Sequence, residues 1–210
     1  MQSYSVRRMR AERQHLFRFI IALAVICLLL SAVCGALWKA FDGSERSPLI
    51  FTGVFLLLSL FLMGKYLVES DENRLIKKTV FGRALVIYGD KKHTYGWEFD
   101  EKRGSRQLMD EIDEEALHMQ YECSGFALTP NWAVLYAFLP ASGKNNICSL
   151  PVRKRWIKRI RWEQAGKEEN SGFTVLIEVP WNASPYRIHA CEQADIQALR
   201  AWSAAQEKQQ

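Results

Sequence analysis

The sequence lacks the signatures by which most enzymes are recognised. It has no GxxxxGK[ST] phosphate cradle, no GxGxxG fingerprint and no GxSxG nucleophile elbow, which removes the common nucleotide-binding and hydrolase frameworks. Its histidines, His15, His93, His118 and His189, form no HExxH or HxxxH pair, and its five cysteines contain no CxxC. His118, Cys123, Cys148, His189 and Cys191 follow no zinc-ligand spacing. An odd cysteine count argues against a disulfide framework and fits a reducing compartment. Each cysteine lies among apolar or small residues, a poor setting for a thiolate nucleophile. These absences predict a chain with no metal, no cofactor and no enzymatic activity.

Charge is also missing where it matters most. Residues 19–38 and 47–64 contain no Asp, Glu, Lys, Arg or His, and at 1.5 Å per residue the first run is about 30 Å long as a helix, the thickness of a bilayer's hydrocarbon core. The expectation is a two-helix transmembrane hairpin that anchors the chain. Without internal acids or bases it offers no proton or ion path, and without GxxxG it has little close-packing signal. Cys27 and Cys34 stand seven apart, on one face of the first helix, and read as small lipid-tolerant fillers.

Flanking charges set the expected orientation. Arg7, Arg8, Arg10, Arg13 and Arg18 stand against Glu12 in the leader, and Lys65, Arg74, Lys77, Lys78 and Arg83 follow the second run. The loop over 39–46 is short and balanced. The positive-inside rule then puts both termini in the cytoplasm of a two-span protein of the cell membrane. A cleaved signal peptide is the rival reading, but the first run is long for one and a second hydrophobic run follows. The organisation expected is a basic leader (1–18), the hairpin (19–68, with spans at about 19–38 and 47–67), a juxtamembrane connector (69–92) and an α+β cytosolic domain (93–207).

In the connector, Ser70 reads as an N-cap, with Leu75, Ile76, Val80 and Ala84 at helical spacing and a strand as the alternative over 84–88. Gly89-Asp90 ends it. Residues 93–99 alternate like a strand, and a helix over 105–120 carries Leu108, Ile112 and Ala116 on one stripe, its acids Asp110, Glu111, Asp113, Glu114 and Glu115 reading as a solvated face. The uncharged stretch 123–143 is broken by Pro130, Asn131, Pro140 and Gly143, too often for a third span; within it 132–139 reads as a strand buried on both faces. Apolar alternation predicts further strands at 147–150, 173–179 and 186–189, and a last helix from Gln193 packs through Ile196, Leu199 and Trp202.

The most distinctive soluble stretch is 152–163. Val152, Trp156, Ile160 and Trp162 occupy even positions and Arg153, Arg155, Arg159 and Arg161 odd ones, with Lys158 among them. Extended, it is a strand with an apolar inner face and a basic outer one; a partly helical course is open too, because Val152, Trp156 and Ile160 fall four apart. The candidate lipid- or partner-binding residues are therefore Arg153, Arg155, Lys158, Arg159 and Arg161. Trp156 and Trp162 interleaved with arginines superficially match a nucleic-acid stacking platform, yet on such a strand the tryptophans face the core.

About seven short strands closed by a C-terminal helix suggest a small bent antiparallel sheet or barrel. This order of parts, with the Leu150-Pro151 step, the run Ile157-Lys158-Arg159-Ile160 and the closing Ile196, Leu199 and Trp202, resembles the uncharacterised bacterial, YcxB-like family, in which a two-helix membrane hairpin precedes a pleckstrin-homology-like (PH-like) domain. The resemblance implies a membrane-tethered interaction module. The early acidic helix departs from the usual PH order. Two roles are expected of such a module. In one, the basic strand orients the domain on anionic lipid headgroups; in the other, the chain is a structural or regulatory subunit whose basic face meets an acidic membrane-protein partner.

Overall fold

In a computed structural model, which describes residues 2–40, 46–90, 104–136, 149–164, 172–180 and 182–204, the uncharged runs form long helices. Helix α1 (Tyr4–Glu12) leads to α2 (Gln14–Ala40), and α3 (Ser47–Glu69) follows. Both α2 and α3 are long and apolar enough to cross a membrane, with mean hydropathy of 2.9 and 2.1 in their most apolar stretches. Packing divides the chain into two units, residues 13–75 and residues 1–12 together with 76–210. The leader expected over 1–18 is thus divided at residue 12, its first part belonging to the body that follows the hairpin.

The hairpin unit is antiparallel: Arg13 pairs with Glu69 at 3.0 Å, the Ser59 hydroxyl donates to the Ala24 carbonyl at 3.0 Å, and Ser31 donates to the Thr52 carbonyl at 3.0 Å. Ile20, Ala24, Cys27 and Leu62 form the seam, with Leu23 and Tyr66 against it. Phe17 meets Tyr66 edge-on at 5.5 Å. The remaining apolar faces, including Leu29, Leu57, Leu60 and Phe61, are exposed. In an apolar solvent such a hairpin is held by close packing and by hydroxyls that find carbonyl acceptors, both of which it has.

After the hairpin the connector is helical, in two pieces: α4 (Glu72–Lys78) and α5 (Val80–Asp90). Ser70 does not open α4. It closes α3, its N–H bonded to the Tyr66 carbonyl at 2.9 Å and its hydroxyl donating to Leu67 at 3.0 Å, because the last carbonyls of α3 need donors. The Asp71 carbonyl instead receives the Arg74 and Leu75 N–H groups. Thr79 breaks the run, its hydroxyl accepting the Gly82 N–H at 2.9 Å. Glycine is required at position 82, where a Cβ would lie 2.3 Å from the Ile76 carbonyl oxygen.

Helix α6 (Gly104–Ala116) precedes, among the described residues, seven antiparallel strands. Strands β1 (Tyr121–Glu122), β2 (Phe126–Leu128), β3 (Trp132–Leu135) and β4 (Leu150–Arg153) form one sheet in sequence order, and β5 (Arg159–Gln164), β6 (Phe173–Glu178) and β7 (Tyr186–Cys191) a second. The acidic helix therefore stands ahead of this strand series. The strand expected at 93–99, the first half of that at 147–150 and the end of that at 132–139 lie outside the described residues. As expected, β3 is buried throughout. Helix α7 (Gln193–Ala204) closes the body through Ile196, Leu199 and Trp202, and the Trp202 indole donates to the Thr129 carbonyl at 2.6 Å.

Helix α1 packs into this same body. Tyr4, Val6 and Met9 are buried, each contributing about 1.5–3 kcal/mol of apolar burial. The Ser5 N–H donates to Asp113 at 2.6 Å. Tyr4 and Tyr136 share a hydrogen bond of 2.7 Å, the Tyr136 hydroxyl donates to Glu122 at 2.8 Å, and Arg8 pairs with Glu122 at 2.5 Å while lying 3.5 Å above the Tyr136 ring. At the end of the helix the Glu12 carboxylate accepts N–H bonds from Val80 (2.8 Å), Phe81 (3.2 Å) and Ser149 (2.7 Å).

Candidate functional site

The basic stretch is not one strand. Arg153 ends β4, Lys154–Trp156 form a 3-10 turn, and β5 begins at Arg159. The cause is Trp156, which is buried at 5.5 Å edge-on to Trp132 and 4.9 Å from Tyr88. Filling that position turns the chain out of the sheet, so the even–odd alternation does not survive across 152–163. Trp162, expected in the core, is exposed at the surface of β5, with the Arg200 guanidinium of α7 4.1 Å above its ring.

The five arginines and lysines expected at the site are divided by this turn. Arg153 is half-buried, ion-paired with Glu111 of α6, and lies over the Trp132 and Trp156 rings at 5.1 and 5.8 Å. It lines a cavity of about 270 Å³ with Arg155, Lys154, Asn131 and Glu111. Partial burial and the neighbouring Arg153 hold the Arg155 guanidinium below its ordinary pKa. Lys158 and Arg161 line a separate cavity of about 540 Å³ with Glu178 and Asn182, where Arg161 is ion-paired with Glu178. Arg159 is exposed on β5, opposite Glu178 in the ladder. Arg155, Lys158 and Arg159 are exposed and, unlike the exposed Arg161, make no ion pair among the described residues.

Carboxylates are the feature that the sequence hid. The acids of α6 are not simply a solvated face: Glu111 takes Arg153 and the Trp132 indole N–H (3.2 Å), Asp113 takes the Ser5 N–H, and Glu115 accepts from Thr129 (2.8 Å) and from the backbone (2.9 Å) and side chain (2.7 Å) of Asn131. Asp110 and Glu114 remain exposed. The i, i+4 spacing of Glu111 and Glu115 puts them on one face, a signal present in the sequence but masked by the acids between them.

Chemistry of the thiols is muted here. Cys123 and Cys191 are free, and burial raises both, Cys191 to about 12, so neither is a thiolate near neutrality. Asp195, beside them, accepts the Tyr121 hydroxyl at 2.6 Å and the Glu192 N–H at 2.7 Å, closing the first turn of α7. Among the described residues no group of three or more His, Cys, Asp or Glu side chains is arranged to hold a metal ion. No protein-family model, curated protein or solved structure matches the chain.

Proposed function

We propose that this protein is a membrane-anchored, non-enzymatic interaction module, with α2 and α3 crossing the cell membrane and a PH-like body in the cytoplasm. One observation carries the reading: residues 1–12 and 76–210 belong to one compact unit although the two apolar helices separate them in the chain. A body built from both flanks of a two-span hairpin requires both flanks on the same side of the bilayer, and the leader arginines favour the cytoplasmic side. Four antiparallel strands, then three, then a closing helix support the PH-like assignment. That assignment is one of architecture and names no ligand.

The exposed cations Arg155, Lys158 and Arg159 are the surface the module offers, and the partner we favour is an acidic membrane protein, the chain acting as its structural or regulatory subunit. Arg153 and Arg161 beside them already hold the chain's own carboxylates, Glu111 and Glu178. Crosslinking in native membranes is expected to capture a discrete partner that is lost in the Arg155→Glu, Lys158→Glu, Arg159→Glu variant; recovery of the monomer alone from the unaltered chain overturns the subunit role. Anionic lipid is the second reading, supported by the exposure of the same three cations. It requires Gln substitution at these positions to weaken association of the body with anionic vesicles. Reporter fusions at the two ends test the topology, and an external signal from either refutes it.

A further inference from the structure

The chain leaves the body twice, after Glu12 and before Ile76, and both points lie on one edge. Glu12 is bonded to the Val80 and Phe81 N–H groups, and the Ile76 carbonyl is in close contact with Gly82. Glu12 and Ile76, the two points of departure, therefore flank the first turn of α5. Exposed beside them are Lys77 and Lys78 at the end of α4 and Arg83 in the first turn of α5, while Ile87, four residues on and hence on the same helix face, is an exposed aliphatic side chain. The one carboxylate placed here by the leader, Glu12, is turned inward onto backbone N–H groups.

Chain length confines this edge. Lys77 lies ten residues beyond the end of the second apolar span at about residue 67, and Glu12 seven residues before the first uncharged run. At about 1.5 Å per helical residue these are only roughly 10–15 Å of helical chain, one to two Debye lengths at physiological salt. We infer that the body rests on anionic phospholipid headgroups through this edge, with Lys77, Lys78 and Arg83 against the phosphates and Ile87 beside them. The inference rests on the membrane reading of α2 and α3. It concerns a surface separate from the basic turn, because β4 carries the chain about 13 Å from Ser149, which is bonded to Glu12, to Arg153.

The test uses the full chain in lipid nanodiscs, of phosphatidylcholine alone or with added phosphatidylglycerol. A fluorescent amino acid replaces Ile87 in one preparation and Glu163, exposed on β5, in another, and a spin-labelled lipid headgroup serves as quencher. Quenching at position 87 is expected to exceed that at 163 several-fold, to rise with phosphatidylglycerol, and to lose that rise in the Lys77→Gln, Lys78→Gln, Arg83→Gln variant. Equal quenching at the two positions, or stronger quenching at 163, overturns the inference while leaving the membrane reading intact. Release of the unaltered chain from native membranes by alkaline carbonate overturns both.

Discussion

Glu12 is the residue on which the leader's place in the body depends. Its carboxylate accepts three backbone N–H bonds, which favour ionisation, yet burial outweighs them and raises its pKa from the ordinary 4.5 to about 6. A carboxyl raised on folding stabilises the protein while protonated. Its contribution is complete below about pH 4.5 and is lost as pH rises through about 6, an effect of about 2 kcal/mol. Urea unfolding of the full chain, followed by tryptophan fluorescence between those values, is expected to show this loss, and Glu12→Gln to flatten it. An unchanged pH dependence in the variant would sink the assignment. In the sequence Glu12 counted only as the one acid among five leader arginines; its role needed Ser149, a partner 137 residues away.

Among the elements, α6 shows how a charge run can be misread. Its apolar stripe was legible at helical spacing, and Leu108 and Ile112 are fully buried. The acids looked interchangeable because periodicity locates the inner face of a helix but says nothing of which outer residues meet a turn or strand. Glu115→Ala removes the acceptor for Thr129 and Asn131 at the β2–β3 turn and is expected to destabilise the protein by about 1–3 kcal/mol. Glu114→Ala, on an exposed neighbour, should stay within about 0.5 kcal/mol. Equal effects of the two in thermal unfolding would restore the solvated-face reading. The basic stretch failed for a related reason: alternation predicted one strand, but a large aromatic at 156 found a better site between Trp132 and Tyr88 and turned the chain. The closing helix, whose pattern had no such competitor, packs as its spacing said.

For the whole molecule, the uncharged runs were the plainest signal in the sequence, since nothing but apolar packing or lipid accommodates such lengths. The discontinuous body was not legible, because twelve residues rich in arginine also satisfy the rule that orients a membrane protein. Deleting residues 2–12 is expected to leave the chain resistant to carbonate extraction while making the segment 76–210 several-fold more sensitive to limited proteolysis. Unchanged protection would show that α1 merely rests on the surface. Burial of Tyr4, Val6 and Met9 and the network through Arg8, Tyr136 and Glu122 argue otherwise.

The span from Glu12 to Ser149 also sets a clock. Helix α1 is the first element made, yet the N–H group of Ser149 that its last residue binds is synthesised 137 residues later, about 7–27 s afterwards at ordinary translation rates. Throughout that interval both apolar helices are available to the membrane while the leader has no seat in the body. On the membrane reading proposed above, its arginines orient the nascent hairpin first and join the finished body second, so one short helix serves the ribosome-bound chain and the mature protein in turn.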